Sequence, residues 1–128
     1  MGIYAITGAS KGIGAEALKY LRGLGHDVIN IDIDGGDISA DLGIPEGRQK
    51  VIKSLHENCP NGLNGLILNA GIALAAKPSK VLSVNFFGPV TLAEGLYSLL
   101  KKKKGNCVVT VSGSIAYITR NKYYVDAL

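Results

Sequence analysis

No stretch of this sequence is apolar for long enough to cross a bilayer, and nothing at its amino terminus reads as a secretory signal. Cysteine is scarce. Cys59 and Cys107 fall in different expected elements, at no metal-ligand spacing and in no disulfide framework, so both read as small buried hydrophobes. The setting expected from this is reducing and cytoplasmic. Proline is limited to four residues, and the 17 glycines follow no Gly-X-Y period, which excludes a collagen-like or low-complexity chain. Charge of one sign is modest as well. The formal net charge is +4, much of it from Lys101, Lys102, Lys103 and Lys104. No arginine or aromatic residue interleaves with that run. It reads as the solvated end of a helix, where cations meet the negative pole, and neither a nucleic-acid nor a membrane partner is expected.

What is present is a chain of 128 residues, 47% of them hydrophobic, which is the size of one domain with material for a core. Ile3 to Thr7 form a short apolar run, followed by the glycine-rich turn Gly8-Ala9-Ser10-Lys11-Gly12-Ile13-Gly14. Ile13, Ala17, Leu18, Leu21 and Leu24 then recur at helical spacing, with Gly23 and Gly25 placed to end the helix. Val28 to Ile33 is a second strand, and Asp37 to Leu42 a weak third. Pro45 and Glu46 suit the first turn of a helix that buries Val51, Ile52 and Leu55, and Asn61-Gly62 marks a turn. Leu63 to Asn69 is the next buried strand. A helical stretch runs from about Ser79 to Lys104, kinked by Gly88-Pro89, and Asn106 to Val111 is the last clear strand. Strands that are continuous apolar runs and alternate with helices indicate an α/β class: a doubly wound parallel sheet with helices on both faces, the Rossmann architecture, here ending after the fifth strand.

The first strand, turn and helix carry the most information. A diphosphate needs donors and positive charge, which the free amides and dipole of a helix amino terminus supply. Glycine is needed there so that the backbone can approach. Asp32 ends the next strand at the spacing of the dinucleotide fingerprint, where a carboxylate accepts from ribose hydroxyls and repels a 2′-phosphate. NAD is therefore expected over NADP. Lys11 points weakly the other way, as a cation beside the turn.

Thr7-Gly8-Ala9-Ser10-Lys11-Gly12-Ile13-Gly14, Asp41-Leu42, Asn69-Ala70-Gly71 and Asn85 within Ser83-Val84-Asn85-Phe86-Phe87-Gly88 together resemble the ordered motifs of short-chain dehydrogenases/reductases. Gly25-His26-Asp27-Val28, Ile31-Asp32-Ile33-Asp34, Ala40-Asp41-Leu42 and Glu46-Gly47-Arg48 are similar to the bacterial 3α-hydroxysteroid dehydrogenase/carbonyl reductase branch. The resemblance implies a single NAD-binding domain over 1–128, corresponding to the amino-terminal half of the family fold. It implies an oxidoreductase that interconverts a small-molecule alcohol and ketone. The sheet would keep a raw edge at its fifth strand, so self-association into a homo-oligomer through that edge or the long helix is expected. Residue by residue, Gly8, Gly12 and Gly14 would shape the phosphate turn, with Ser10, Lys11 and Ile13 along the cofactor. Asp32 and Ile33 would hold the adenosine, and Asp41 and Leu42 would stand at the adenine. Ala70 and Gly71 would pass beneath the adenosine and ribose. Asn69 stands either at the cofactor or as a brace at the strand end. Asn85 would anchor a relay water through a bent helix backbone.

The catalytic end is incomplete by the same resemblance. Ser112-Gly113-Ser114 puts glycine where an ungapped match needs serine, so either Ser114, favoured because the loop moves more easily than the strand, or Ser112 would orient the substrate oxygen. No Tyr-x-x-x-Lys follows: Tyr117 meets Asn121, and Tyr123 and Tyr124 meet Ala127 and Leu128. Tyr97 and Lys101 match literally but precede the serine strand, and read as helical neighbours. A dinucleotide-binding module without turnover therefore remains the alternative to an oxidoreductase.

Overall fold

The computed structural model describes residues 1–73 and 75–112. Strands β1 (Ile3–Thr7), β2 (Asp27–Asp32), β3 (Ile38–Ser39), β4 (Gly65–Leu68) and β5 (Asn106–Val109) alternate with helices α1 (Gly12–Gly23), α2 (Pro45–Asn58), α3 (Pro78–Leu82) and α4 (Gly88–Lys103). Every strand pair is parallel, in the order β3-β2-β1-β4-β5. This is the doubly wound α/β sheet that the alternation predicts. The order changes direction between β1 and β4, which opens a crevice at the carboxyl ends of those two strands.

Successive strand side chains face opposite sides of the sheet, so Ala5 and Ile6 divide between two cores. Ala5 packs with Ile31, Leu66 and Leu68 beneath Val51 and Leu55 of α2 and Leu92, Leu96 and Leu99 of α4. On the other face Ile6, Ala9 and Val28 meet Ala17, Leu18 and Leu21 of α1. Each fully buried leucine or isoleucine contributes roughly 1.5–3 kcal/mol of apolar transfer.

Helix ends follow the expected chemistry. The Gly25 amide closes on the Arg22 carbonyl, which ends α1, and Pro45 occupies the first turn of α2, where a missing amide is harmless. Several boundaries differ from expectation, among them the end of the last strand, at Val109 rather than Val111. The third strand pairs only at Ile38 and Ser39, because polar side chains bend the chain on both sides. The Asp37 carboxylate accepts the Asn30 amide at 2.8 Å, and the Asp41 carboxylate accepts the Gly43 amide at 2.8 Å. The strand around Leu66 ends at Leu68, since the Asn69 amide leaves the ladder for the Thr7 hydroxyl. The long helix is broken one turn before Pro89 by a π turn at Ser83–Phe87, across which the Gly88 amide reaches back to the Ser83 carbonyl. Proline lacks the amide that the Asn85 carbonyl would ordinarily receive four residues on, so the helix widens there.

Cys59 is buried as expected, but Cys107 is exposed, as is all of β5, which among the described residues has a strand neighbour on one side only. Lys101, Lys102 and Lys103 occupy the exposed last turn of α4, and Lys104 caps it in the left-handed region at φ 51°. Among the described residues no helix is long and apolar enough to cross a membrane.

Candidate functional site

The crevice is built by the loops that follow β1, β2 and β4. After β1 the chain turns so tightly that side chains are excluded. A Cβ at Gly8 would lie 2.8 Å from the Ala70 Cα, and one at Gly14 would lie 2.2 Å from the Gly8 carbonyl oxygen. These close approaches seat the start of α1 directly on the strand ends. Gly12 differs: its φ is 61°, with open space where a Cβ would project. Glycine adopts that conformation without strain and leaves the front of the helix clear. No side chain caps this amino terminus, and Ile13 stands exposed on its first turn. The leading amides, lacking helical acceptors, concentrate positive potential there, an arrangement that suits an anion.

Asp32 closes the crevice from β2. Its Oδ2 accepts the Ser10 amide at 3.0 Å and its Oδ1 accepts the Ile33 amide at 2.8 Å. Burial raises its pKa, but those amides, the Ser10 hydroxyl and the charge of Lys11 together outweigh burial and hold the carboxyl below the usual carboxylate range. Asp32 is thus a fixed anion at neutral pH.

Gly8, Lys11, Asp32, Ile33, Asp41, Leu42, Ala70 and Gly71 all line one cavity of about 220 Å³. Ser10 adjoins it through the bond to Asp32. Gly12, Ile13 and Gly14 form the helix start beside it.

Asn69 serves the sheet. Its Nδ2 donates to the Gly8 carbonyl at 3.2 Å and its Oδ1 accepts from the Thr110 hydroxyl at 3.2 Å, so it ties the ends of β1, β4 and β5 together. The Asn85 side chain clasps Ile72 in both directions, accepting its amide and donating to its carbonyl at 2.9 Å each. It fastens the loop after β4 to the π turn. Ser112 is exposed three residues beyond β5. Ser114 lies outside the described residues, as do Tyr117, Asn121, Tyr123, Tyr124, Ala127 and Leu128. Tyr97 and Lys101 stand exposed on α4.

Several residues of the crevice were given no role by the sequence. The Thr7 hydroxyl accepts the amides of Asn69 and Ala70, at 3.0 Å each. Asn30, buried in β2, binds the turn after β1. A polar residue inside the apolar run Val28-Ile29-Asn30-Ile31 was the one signal for it. Lys80 and Val84 line the cavity from α3 and the π turn, with no signal in the sequence. Among the described residues no group of three or more His, Cys, Asp or Glu is placed to hold a metal ion.

No family model matches the chain. It is 37% identical over 113 residues to the 3-alpha-hydroxysteroid dehydrogenase/carbonyl reductase of Comamonas testosteroni, an alignment covering 88% of this chain and 44% of that protein. It is 36% identical over 113 residues to a coniferyl-alcohol dehydrogenase of a Pseudomonas species, covering 84% of this chain and 42% of that protein. The solved 3-alpha-hydroxysteroid dehydrogenase from Pseudomonas sp. B-0831, complexed with NADH, superposes with a TM-score of 0.86 at 35% identity, over 95% of this chain and 48% of that one. The chain thus spans less than half the length of these relatives.

Proposed function

The chain belongs to the short-chain dehydrogenases/reductases, and from that premise we propose that residues 1–128 form the NAD-binding domain of an oxidoreductase that interconverts a secondary alcohol and a ketone. The observation that carries this reading is the ionised Asp32 at the carboxyl end of β2, sharing one cavity with Gly8 and Gly71.

The residues present fit a dinucleotide. The amides of Gly12, Ile13 and Gly14 hold its diphosphate at the helix start. Asp32 accepts from the ribose hydroxyls, Ile33, Asp41 and Leu42 flank the adenine, and Ala70 and Gly71 form the floor. When bound, the nicotinamide supplies the hydride acceptor or donor. Ser112 or Ser114 orients the substrate oxygen, and the backbone of Asn85, freed by Pro89, anchors a relay water. NAD is preferred because the Asp32 carboxylate repels a 2′-phosphate. The substrate class is a hydroxysteroid or another small carbonyl compound, in line with the names of the relatives.

Titration of the chain with NADH, followed by cofactor fluorescence, tests this reading. NADH binds more tightly than NADPH, and Asp32→Ala weakens NADH by roughly tenfold or more, the loss expected for a hydrogen bond to a charged group. Equal binding of NADH by both proteins overturns the assignment.

A further inference from the structure

Strand β3 pairs with β2 only at Ile31 and Asp32, so from Asp27 to Asn30 one side of β2 has no strand beside it among the described residues. In a parallel ladder the backbone groups of successive residues turn to opposite sides. Asp27 and Ile31 bond towards β1, through the Gly2 carbonyl and the Gly8 amide, so Val28 and Asn30 present their groups at the open side. Two side chains occupy that side. Arg22, in the last turn of α1, donates from Nη2 to the Val28 carbonyl at 2.8 Å. Asp37, just before β3, accepts the Asn30 amide on Oδ2 at 2.8 Å. The same Nη2 and Oδ2 lie 3.3 Å apart. Arg22 and Asp37 thus form a continuous bridge along the edge, taking an acceptor and a donor that an added strand would need. An open hollow of about 580 Å³, lined by Arg22, Val28 and Asp37 among others, lies in front of it. The two side chains are 49% and 55% exposed, and an ion pair so open to water adds little to stability. Its effect falls on what the edge can bind.

We infer that Arg22 and Asp37 act as a cap that keeps the open edge of β2 from accepting another strand, and that the strand excluded is the same edge of a second copy of this chain. An unpaired sheet edge is a template for strand addition, and charged side chains placed over it are one way of closing it. This edge is self-complementary. Val28 turns both its amide and its carbonyl to the open side. Two such residues exchange both bonds when their strands run antiparallel, which is the arrangement a two-fold axis gives. Two copies meeting there would have to break Arg22 from Val28 and Asp37 from Asn30 in each. The cap stands across the sheet from β5, so association at β2 is separate from association at β5.

Sedimentation over a range of protein concentration compares the wild-type chain with Arg22→Met, Asp37→Ala, the double variant and Asp37→Asn, with circular dichroism recorded for each. Both side chains are half exposed, so neither substitution opens the core. The double variant is expected to dimerise with a dissociation constant at least about tenfold below that of the wild type, since the bonds of the cap no longer have to be broken. The amides of Val28 and Asn30 locate the contact. In the double variant their hydrogen exchange slows as the protein concentration rises, and in the wild type it does not. Asp37→Asn keeps an oxygen for the Asn30 amide and leaves Arg22 over Val28, so it behaves as the wild type does. A folded double variant that associates no more tightly than the wild type overturns the cap. Association that leaves Val28 and Asn30 unprotected places the contact elsewhere and also overturns it. So does Asp37→Asn associating as tightly as Asp37→Ala. Should the double variant fail to fold, the two single variants decide by the same readings.

Discussion

Leu66 and Cys107 stand opposite each other on adjacent parallel strands, yet Leu66 is wholly buried and Cys107 is exposed. The middle of the sheet and its β5 end differ in the same way. Around β1, β2 and β4 each strand has helices over it and a strand on either side, and the loops beyond are cross-braced by Thr7, Asn30, Asn69 and Asp32. Around β5, among the described residues, a strand of the same apolar character lies with no side chain buried. Strand sequence alone does not make a core. Burial follows from what is laid on either face and along either edge, and the crevice gains its rigidity from being central.

The contrast predicts unequal costs for equal substitutions. Leu66→Ala is expected to destabilise by about 2–5 kcal/mol, because the central core cannot collapse around the void, and urea unfolding measures it. Gly14→Ala comes next, at about 1–3 kcal/mol, since its Cβ would meet the Gly8 carbonyl. That variant also loses NADH binding, because the turn must open.

A smaller effect concerns Asp32 and appears only in acid. Its carboxyl is held below the usual range in the fold, so its contribution is fully present above the unfolded value, about pH 4, and disappears as the pH falls through the folded value. Asp32→Asn therefore shows less loss of melting temperature than wild type on acidification below about pH 4. An unaltered acid limb would count against the bonds from Ser10 and Ile33.

At the periphery, Lys104→Gly relieves a left-handed lysine and is expected to stabilise by about 1 kcal/mol, again by urea unfolding. Cys107→Ala, the partner of the first substitution, should change stability by less than about 0.5 kcal/mol. Its thiol should react with a thiol reagent in the native protein, while Cys59 reacts only on unfolding. A large loss at Cys107 would mean that β5 is covered after all.

Much of the crevice was legible because its devices are local. The turn glycines, Asp32, Asp41-Leu42 and Ala70-Gly71 are set by spacing along the chain, and all of these but Gly12 and Gly14 line the cavity or adjoin it directly. Residues whose part arises by juxtaposition were not legible. Thr7 meets Asn69 across strands, Asn30 meets Ala9 and Ser10 across β1 and β2, and Lys80 reaches the cavity from a helix far along the chain. The shortened third strand was missed because the Asp37 carboxylate takes the Asn30 amide across the strands and the Asp41 carboxylate turns the chain onto the Gly43 amide, both in competition with the ladder. Cys107 was misplaced because its apolar neighbours suggested burial, although the edge position expected for its strand argues against it.

The sequence by itself determined the parallel α/β class, the phosphate-binding type of turn and the acid at the second strand, since periodicity, glycine and fixed spacing act over a few residues. Only the tertiary structure decided which way the Asn30 amide would point and where Asn85 would spend its hydrogen bonds. Those depend on groups that sequence keeps far apart and that folding brings within 3.5 Å, where donors and acceptors must be matched one to one.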